Sequence, residues 1–257
     1  MNIKTYAIPK EIIGAGFEFV EDGHQYYFDG RPMTGVTSVL KVIAKPALIQ
    51  WAANQAVDYV RGKTKGLEAI GIQQLEEILE EAKIAHRRKK EEAGSKGTDV
   101  HEALEEAIKW AIKNNNGILG IISEAHEESQ QINKFFNWAA DNKVKFLASE
   151  KQVYSQTHFL AGTLDFICEI DGKKYLGDIK TSSGIYGREY FAQCAAYRMM
   201  CEEQGETGFA GSVVVRLGKD GSFEEVYSMD YENDKKLFLA CLEVYRTMGN
   251  FETQTLK

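Results

Sequence analysis

The 257 residues carry 31 Lys and Arg against 38 Asp and Glu, a formal charge of −7, with 44% hydrophobic and 27% charged residues. Such a composition is that of a soluble globular chain with ample core for one large domain or two small ones, and no apolar run approaches the roughly 20 residues needed to span a bilayer. The acidic balance argues against a general nucleic-acid coat, but not against a carboxylate site neutralised by metal.

Residues 1–40 read as short strands and turns. Phe17 to Val20 and Gln25 to Phe28 flank Glu21-Asp22-Gly23-His24, a hairpin signal, and Asp29-Gly30-Arg31-Pro32 turns the chain again. Thr34 to Leu40 opens a helical stretch with Thr37 or Ser38 as its N-cap. Pro46 suits the first turn of the next helix, whose Leu48, Ile49, Trp51, Ala52, Ala56 and Tyr59 recur with helical spacing to a stop near Arg61-Gly62. Residues 67–93 are rich in Glu, Lys, Leu, Ile and Ala, again helical, and include His86-Arg-Arg-Lys-Lys90. Taken alone, that run is a solvated helix face, although Arg and Lys so grouped can also grip phosphates without reading sequence.

Gly94-Ser-Lys-Gly-Thr98 interrupts the pattern, and Thr98 or Asp99 can cap a new helix to about Asn114, on which His101 and Glu105 share a face. Asn114-Asn-Asn-Gly117 stops it. A further helix, about Glu124 to Asn142, buries Ile132, Phe135, Phe136 and Trp138. From Val144 the composition turns to strands: Val144 to Tyr154, then 159–170, then 174–180. A helix from about Arg188 to Glu203 follows, then the β-branched run Phe209 to Leu217, the turn Lys219-Asp-Gly-Ser222, the strand Phe223 to Met229 and an amphipathic helix over Glu232 to Met248. There is no repeat, low-complexity tract or evident linker. The simplest organisation is a set of N-terminal strands and helices, residues 1–93, packed on a core of residues 94–257.

The stretch from Gly162 to Ser183 concentrates the chemistry. Asp171-Gly172 is a two-residue hairpin signal between strand-like segments. Asp178 and Lys180, two apart on the second strand, project to one face, and antiparallel pairing brings the end of the first strand, with Asp165, beside them. Two carboxylates and a lysine converging at a sheet edge suit a divalent metal and a polarised water, the equipment of a nuclease.

The element order helix, three strands, helix, strand resembles the PD-(D/E)XK nuclease superfamily, and within it the RecB-like exonuclease branch, which includes phage-type recombination exonucleases and the mitochondrial genome-maintenance exonuclease. Four pieces carry the likeness, over about residues 94–200: Gly97-Thr-Asp-Val-His101 with Glu105, Gly162-Thr-Leu-Asp165, Asp178-Ile-Lys180-Thr-Ser, and Gln193-Cys-Ala-Ala-Tyr197. The second acid is Asp178, where the branch often has either acid.

The resemblance implies an α/β fold with a restriction-endonuclease-like core, a central mixed sheet flanked by helices in the order α-β-β-β-α-β, behind an N-terminal β/α extension. It implies a DNA exonuclease in recombination, repair or phage genome processing, with an endonuclease or a non-catalytic DNA-end binding module as alternatives. Asp165 and Asp178 would hold Mg²⁺ or Mn²⁺, the Ile179 carbonyl would add an oxygen ligand, and His101 a nitrogen ligand that favours Mn²⁺. Lys180 would orient or help deprotonate the attacking water and stabilise negative charge. Gln193 and Tyr197, one helical turn apart, would brace the site or touch a phosphate; Thr181 and Ser182 are further candidates for the substrate or the site's surroundings, and Ser182 and Ser183 either contact a phosphate or serve simple turn chemistry. Glu150 and Glu105 are further candidates for the metal or its surroundings. Cys168, Cys194, Cys201 and Cys241 contain no Cys-x-x-Cys pair and do not follow the layout of the branch's cluster-bearing members, so no iron–sulphur cluster is expected; reduced cytosolic thiols are. With no secretory leader in Met1 to Lys10, the expected location is cytoplasmic, the host cytoplasm for a phage protein. The expected partner is linear DNA, single- or double-stranded, with a single-strand annealing protein and a homo-oligomer as companions by resemblance, and no membrane.

Overall fold

The computed structural model describes residues 16–115, 130–182 and 184–249. The chain divides into two units, Met1–Ile43 with Ala103–Lys257 and Ala44–Glu102. No helix among the described residues is long and apolar enough to cross a membrane.

In the larger unit, β1 (Phe17–Val20) and β2 (Gln25–Phe28) form the expected hairpin, extended by β3 (Arg31–Pro32). β4 (Thr34–Gly35) runs straight into α1 (Val36–Val39) and a 3-10 turn (Leu40–Val42). This helix starts ahead of Thr37 and Ser38, so neither caps it; Gly35, in extended backbone, holds the N-cap position without a side-chain bond. Packing decides the boundary, because Val36, Val39 and Leu40 are all drawn into the main core.

The smaller unit holds α2 (Pro46–Thr64), α3 (Ile72–Lys83) and the first part of α4 (Ala85–Lys113). Pro46 occupies the first turn of α2 as expected, but the helix continues past Arg61-Gly62 to Thr64, whose hydroxyl donates to the Val60 carbonyl at 3.0 Å. Contrary to the break expected at Gly94–Thr98, α4 is continuous, and neither Thr98 nor Asp99 caps a new helix. Each helical glycine costs only about 1 kcal/mol against alanine, and strong helix formers on both sides (Glu91, Glu92 and Ala93; Glu102 to Ala107) propagate the helix across it. In the basic run, Arg87, Arg88, Lys89 and Lys90 are exposed, and Arg87 lies 3.8 Å from Glu91.

From Ala103 on, α4 belongs to the larger unit and buries Leu104, Ala107, Ile108 and Ala111. α5 (Gln130–Asp141) buries Ile132, Phe135, Phe136 and Trp138; its expected start near Glu124 lies outside the described residues.

The six-stranded sheet of the larger unit is mixed and flanked by helices. β5 (Lys145–Ser155), β6 (Leu160–Ile170) and β7 (Lys173–Lys180) form an antiparallel meander, and β4 pairs in parallel with the start of β6. Asp171 at φ 48° and Gly172 at φ 72° adopt the left-handed backbone that a tight hairpin requires. α6 (Glu189–Glu203) carries the chain to β8 (Phe209–Leu217), which lies parallel to β7, and β9 (Phe223–Ser228) closes that edge antiparallel. α7 (Tyr231–Gly249) follows. On one side α1, α6 and α7 cover Val153, Leu160, Leu164, Ile167, Leu176 and Val214. A separate aromatic group joins Phe135 and Trp138 of α5 to Phe146 and Phe166. Leu164 and Ile167 thus face one core and Phe166 the other, so the in–out alternation of β6 slips by a residue near Asp165.

Glu203 at the end of α6 ties down the loop joining β5 to β6: its Oε1 accepts from the Gln156 N–H at 2.9 Å and from the Thr157 N–H and hydroxyl at 3.1 Å. Burial alone would raise this carboxyl, but hydrogen bonds from Ser155, Thr157 and Gln156 outweigh it and hold it below the usual range. The contribution is therefore full above the unfolded value of about 4.3 and is lost as the pH falls through the lower folded value. Glu203→Gln is expected to cost roughly 1 kcal/mol at pH 7, since the group is exposed, and to flatten the loss of stability below about pH 4.3. Urea titrations across pH 3–7 with both proteins (roughly the window set by) measure this; parallel stability curves would refute it.

Candidate active site

From the Asp171-Gly172 turn, β6 and β7 pair as far as Phe166 and Gly177 and then part. The next opposed positions are Asp165 and Asp178. Past the last pair, the Ile179 N–H donates to Asp165 Oδ2 at 2.6 Å rather than to a carbonyl of β6. On its other edge β7 stays paired with β8 through Lys180 and Arg216, which fixes the backbone beneath Asp178 and Lys180.

Asp178 is 1% exposed. Its Oδ1 accepts from Lys180 Nζ at 2.7 Å and from Gln193 Nε2 at 3.2 Å, and the same Gln193 nitrogen lies 3.4 Å from the Tyr197 hydroxyl. The Gln193-x-x-x-Tyr197 spacing puts both side chains on the face of α6 that meets the sheet. Glycine makes this approach possible: a Cβ on Gly162 would stand 2.6 Å from Tyr197 Cε1. Cys194, between them in sequence, is core.

The electrostatics are those of crowded carboxylates. Burial raises Asp165, against the opposing pull of Lys180 and the Ile179 N–H. Burial alone would lower Lys180, but Asp178 and Asp165 raise it, so Lys180 is a charged donor in this arrangement. Glu150 sits on β5 between the Ser149–Phe166 and Lys151–Leu164 pairs, hence opposite Asp165. Its φ of 45° is left-handed backbone, uncommon for a non-glycine residue, and strain of this kind concentrates at functional sites. Burial first, then the charges of Asp165 and Glu105, push its carboxyl up to about 8. Glu105 itself is ion-paired with Lys109 one turn along α4.

His101 is half-buried on α4 within the Ala44–Glu102 unit. Thr181 and Ser182 begin the loop after β7, where the Ser182 hydroxyl donates to the Gly184 carbonyl at 3.0 Å, a turn contact; Ser183 lies outside the described residues.

Two residues near the site, Tyr26 and Arg216, carry no local sequence signal for the roles they take. The Tyr26 hydroxyl, from the N-terminal hairpin, lies 2.9 Å from Thr163 Oγ1 and 2.7 Å from His24 Nε2. Thr163 is two residues before Asp165, so the hairpin holds β6 where it leaves β7. Arg216, 7% exposed, donates to Glu224 Oε2 at 2.9 Å, to Ser222 Oγ at 3.0 Å and to the Ser182 carbonyl at 3.4 Å. Only the hairpin signal around His24 was visible in advance; a contact 137 residues apart in sequence was not. Tyr26→Phe is expected to cost about 1 kcal/mol, read as a lower urea midpoint at constant slope; an unchanged midpoint would show that the hydroxyl holds nothing.

Among the described residues no group of three or more His, Cys, Asp or Glu side chains is arranged to hold a metal ion. The donor chemistry nevertheless fits a hard divalent cation. Asp165 and Asp178 offer carboxylate oxygens at opposed positions, and the repulsion that raises Glu150 against Asp165 is one that a cation would relieve. No protein-family model matches the chain, and no curated protein matches it either.

Proposed function

We propose that the chain is a divalent-metal-dependent DNA nuclease with a restriction-endonuclease-like core, of the RecB-like exonuclease branch of the PD-(D/E)XK superfamily, acting on DNA ends in recombination, repair or phage genome processing. The observation that supports it is the gathering of Asp165, Asp178, Lys180, Gln193 and Tyr197 where β6 and β7 part. Separated by up to 32 residues in sequence, these side chains have little reason to meet in a merely structural salt bridge.

Asp165, Asp178 and the Ile179 carbonyl would hold the ion. Bound there, Mg²⁺ or Mn²⁺ would polarise a water and a phosphate oxygen. Lys180 supplies positive charge where negative charge builds on the phosphate, and orients the water by donating to it. Gln193, held against Tyr197, keeps Asp178 in its rotamer, the kind of support that ligating carboxylates need. The opposed geometry of Asp165 and Asp178 depends on the Gly177–Phe166 packing just beneath it.

Purified protein incubated with end-labelled linear DNA and covalently closed circles, with Mg²⁺, Mn²⁺ or EDTA, tests the reading. Metal-dependent loss of linear DNA alone is the expected result. Cutting of closed circles would make the protein an endonuclease, and DNA binding without hydrolysis under any metal would make it a binding module.

A further inference from the structure

Tyr186, in the loop between β7 and α6, has the most exposed aromatic ring among the described residues, at 73%. The ring does not trail into solvent. A Cβ on Gly184 would come within 2.6 Å of its Cζ and 2.9 Å of its hydroxyl oxygen, so the ring folds back over the loop backbone four residues beyond Lys180. Tyr190, in the first turn of α6, carries its own ring 5.7 Å from Lys180 Nζ. The segment that follows Lys180 therefore bears two tyrosines, one beside the ammonium and one presenting a face to water.

What would cover that outer face follows from its surroundings. A protein partner needs a contiguous apolar patch, whereas of the sequence neighbours here Ile185 packs inward against the core, Gly184 and Gly187 have no side chain, and Arg188 is turned to Asp234 at 2.8 Å. A single flat ring folded over the backbone of the loop that leaves Lys180 matches a nucleobase instead. Every base has a π face, so stacking needs neither an apolar rim nor a fixed sequence.

We propose that Tyr186 is a stacking platform for an unpaired terminal base of the strand whose phosphate lies at Lys180, so that the substrate is a DNA end with unpaired nucleotides. This rests on the nuclease reading above and adds to it a class of substrate and a residue that selects it.

The test uses full-length protein with its metal withheld by EDTA, to separate binding from cutting, and short DNAs with 2-aminopurine at the terminal or at an internal position. Anisotropy reads binding, and loss of 2-aminopurine fluorescence reads stacking. Binding is expected to quench the terminal probe more than the internal one. Tyr186→Ala should abolish that difference and weaken binding roughly 5- to 100-fold, and Tyr186→Trp should restore both. Gly184→Ala keeps the tyrosine but displaces its ring, and should fall between. Equal quenching and affinity with Tyr186→Ala would overturn the proposal, as would blunt duplex ends bound as tightly as frayed ones, while leaving the nuclease reading intact. If the protein binds no DNA and the unsubstituted chain hydrolyses none, the nuclease reading fails and this proposal with it.

Discussion

Lys180→Ala is expected to lower metal-dependent DNA hydrolysis by about 10²- to 10⁴-fold. The substitution removes the ammonium that donates to Asp178 Oδ1 at 2.7 Å, and with it, on the proposed nuclease reading, the positive charge that would meet a developing phosphorane-like oxygen. It also carries a structural cost that must be separated from the catalytic one. Breaking a buried ion pair costs about 3–5 kcal/mol when the remaining charge is sealed from water, but Lys180 keeps 21% of its side chain exposed, so water can reach the space it leaves. A loss of roughly 1–2 kcal/mol is the discounted expectation. Lys180→Gln separates the two effects. Its amide can still donate to Asp178 and should recover most of the thermal stability, yet it carries no charge and should recover little of the rate. If Lys180→Gln restores hydrolysis together with the melting temperature, Lys180 is a strut for Asp178 and the catalytic role assigned to it is wrong.

Gly177→Ala is expected to destabilise the fold by about 3 kcal/mol, the upper part of the range for overpacking. A Cβ at this position would stand 2.0 Å from Cε2 and Cζ of Phe166. The ring has little room to yield, because Phe135, Phe146 and Trp138 surround it with centroids 6.0, 5.7 and 6.3 Å away. Phe166→Ala alone is expected to cost about 3–5 kcal/mol through the cavity it opens. Since each substitution relieves the problem the other creates, the double variant should be less destabilised than the sum by about 1–3 kcal/mol. Urea denaturation of the four proteins gives the coupling directly; additive costs would mean that Gly177 is not held by contact with Phe166. Gly177 precedes Asp178, so the single variant should also lose hydrolysis at temperatures where it is still folded.

Much of the site is written in local sequence. Asp171-Gly172 selects a two-residue turn, the turn sets the register of β6 against β7, and that register alone puts Asp165 across from Asp178. Helical spacing likewise puts Gln193 and Tyr197 on one face of α6. Other features were decided by packing over distance. The helix after Gly35 starts at Val36 because a core built largely from residues beyond 150 draws in Val36 and Val39, and local capping chemistry at Thr37 and Ser38 is overridden. α4 runs through Gly94 and Gly97 because propagation from both flanks exceeds a penalty that, read locally, resembles a stop. Glu150 reads from sequence as a candidate for the metal or its surroundings; its left-handed backbone and its place opposite Asp165 exist only once β5 has paired with β6.

By itself, then, the sequence determined the strands, the hairpin and the register that opposes two carboxylates beside a lysine, since turn chemistry and side-chain periodicity act over a few residues. Only the tertiary structure decided that Tyr26 braces β6 through Thr163, that Glu150 stands opposite Asp165 on left-handed backbone, and that Tyr186 lies folded over Gly184 with its ring open to water. Those outcomes depend on which distant surfaces are buried together, and no short stretch of chain encodes that.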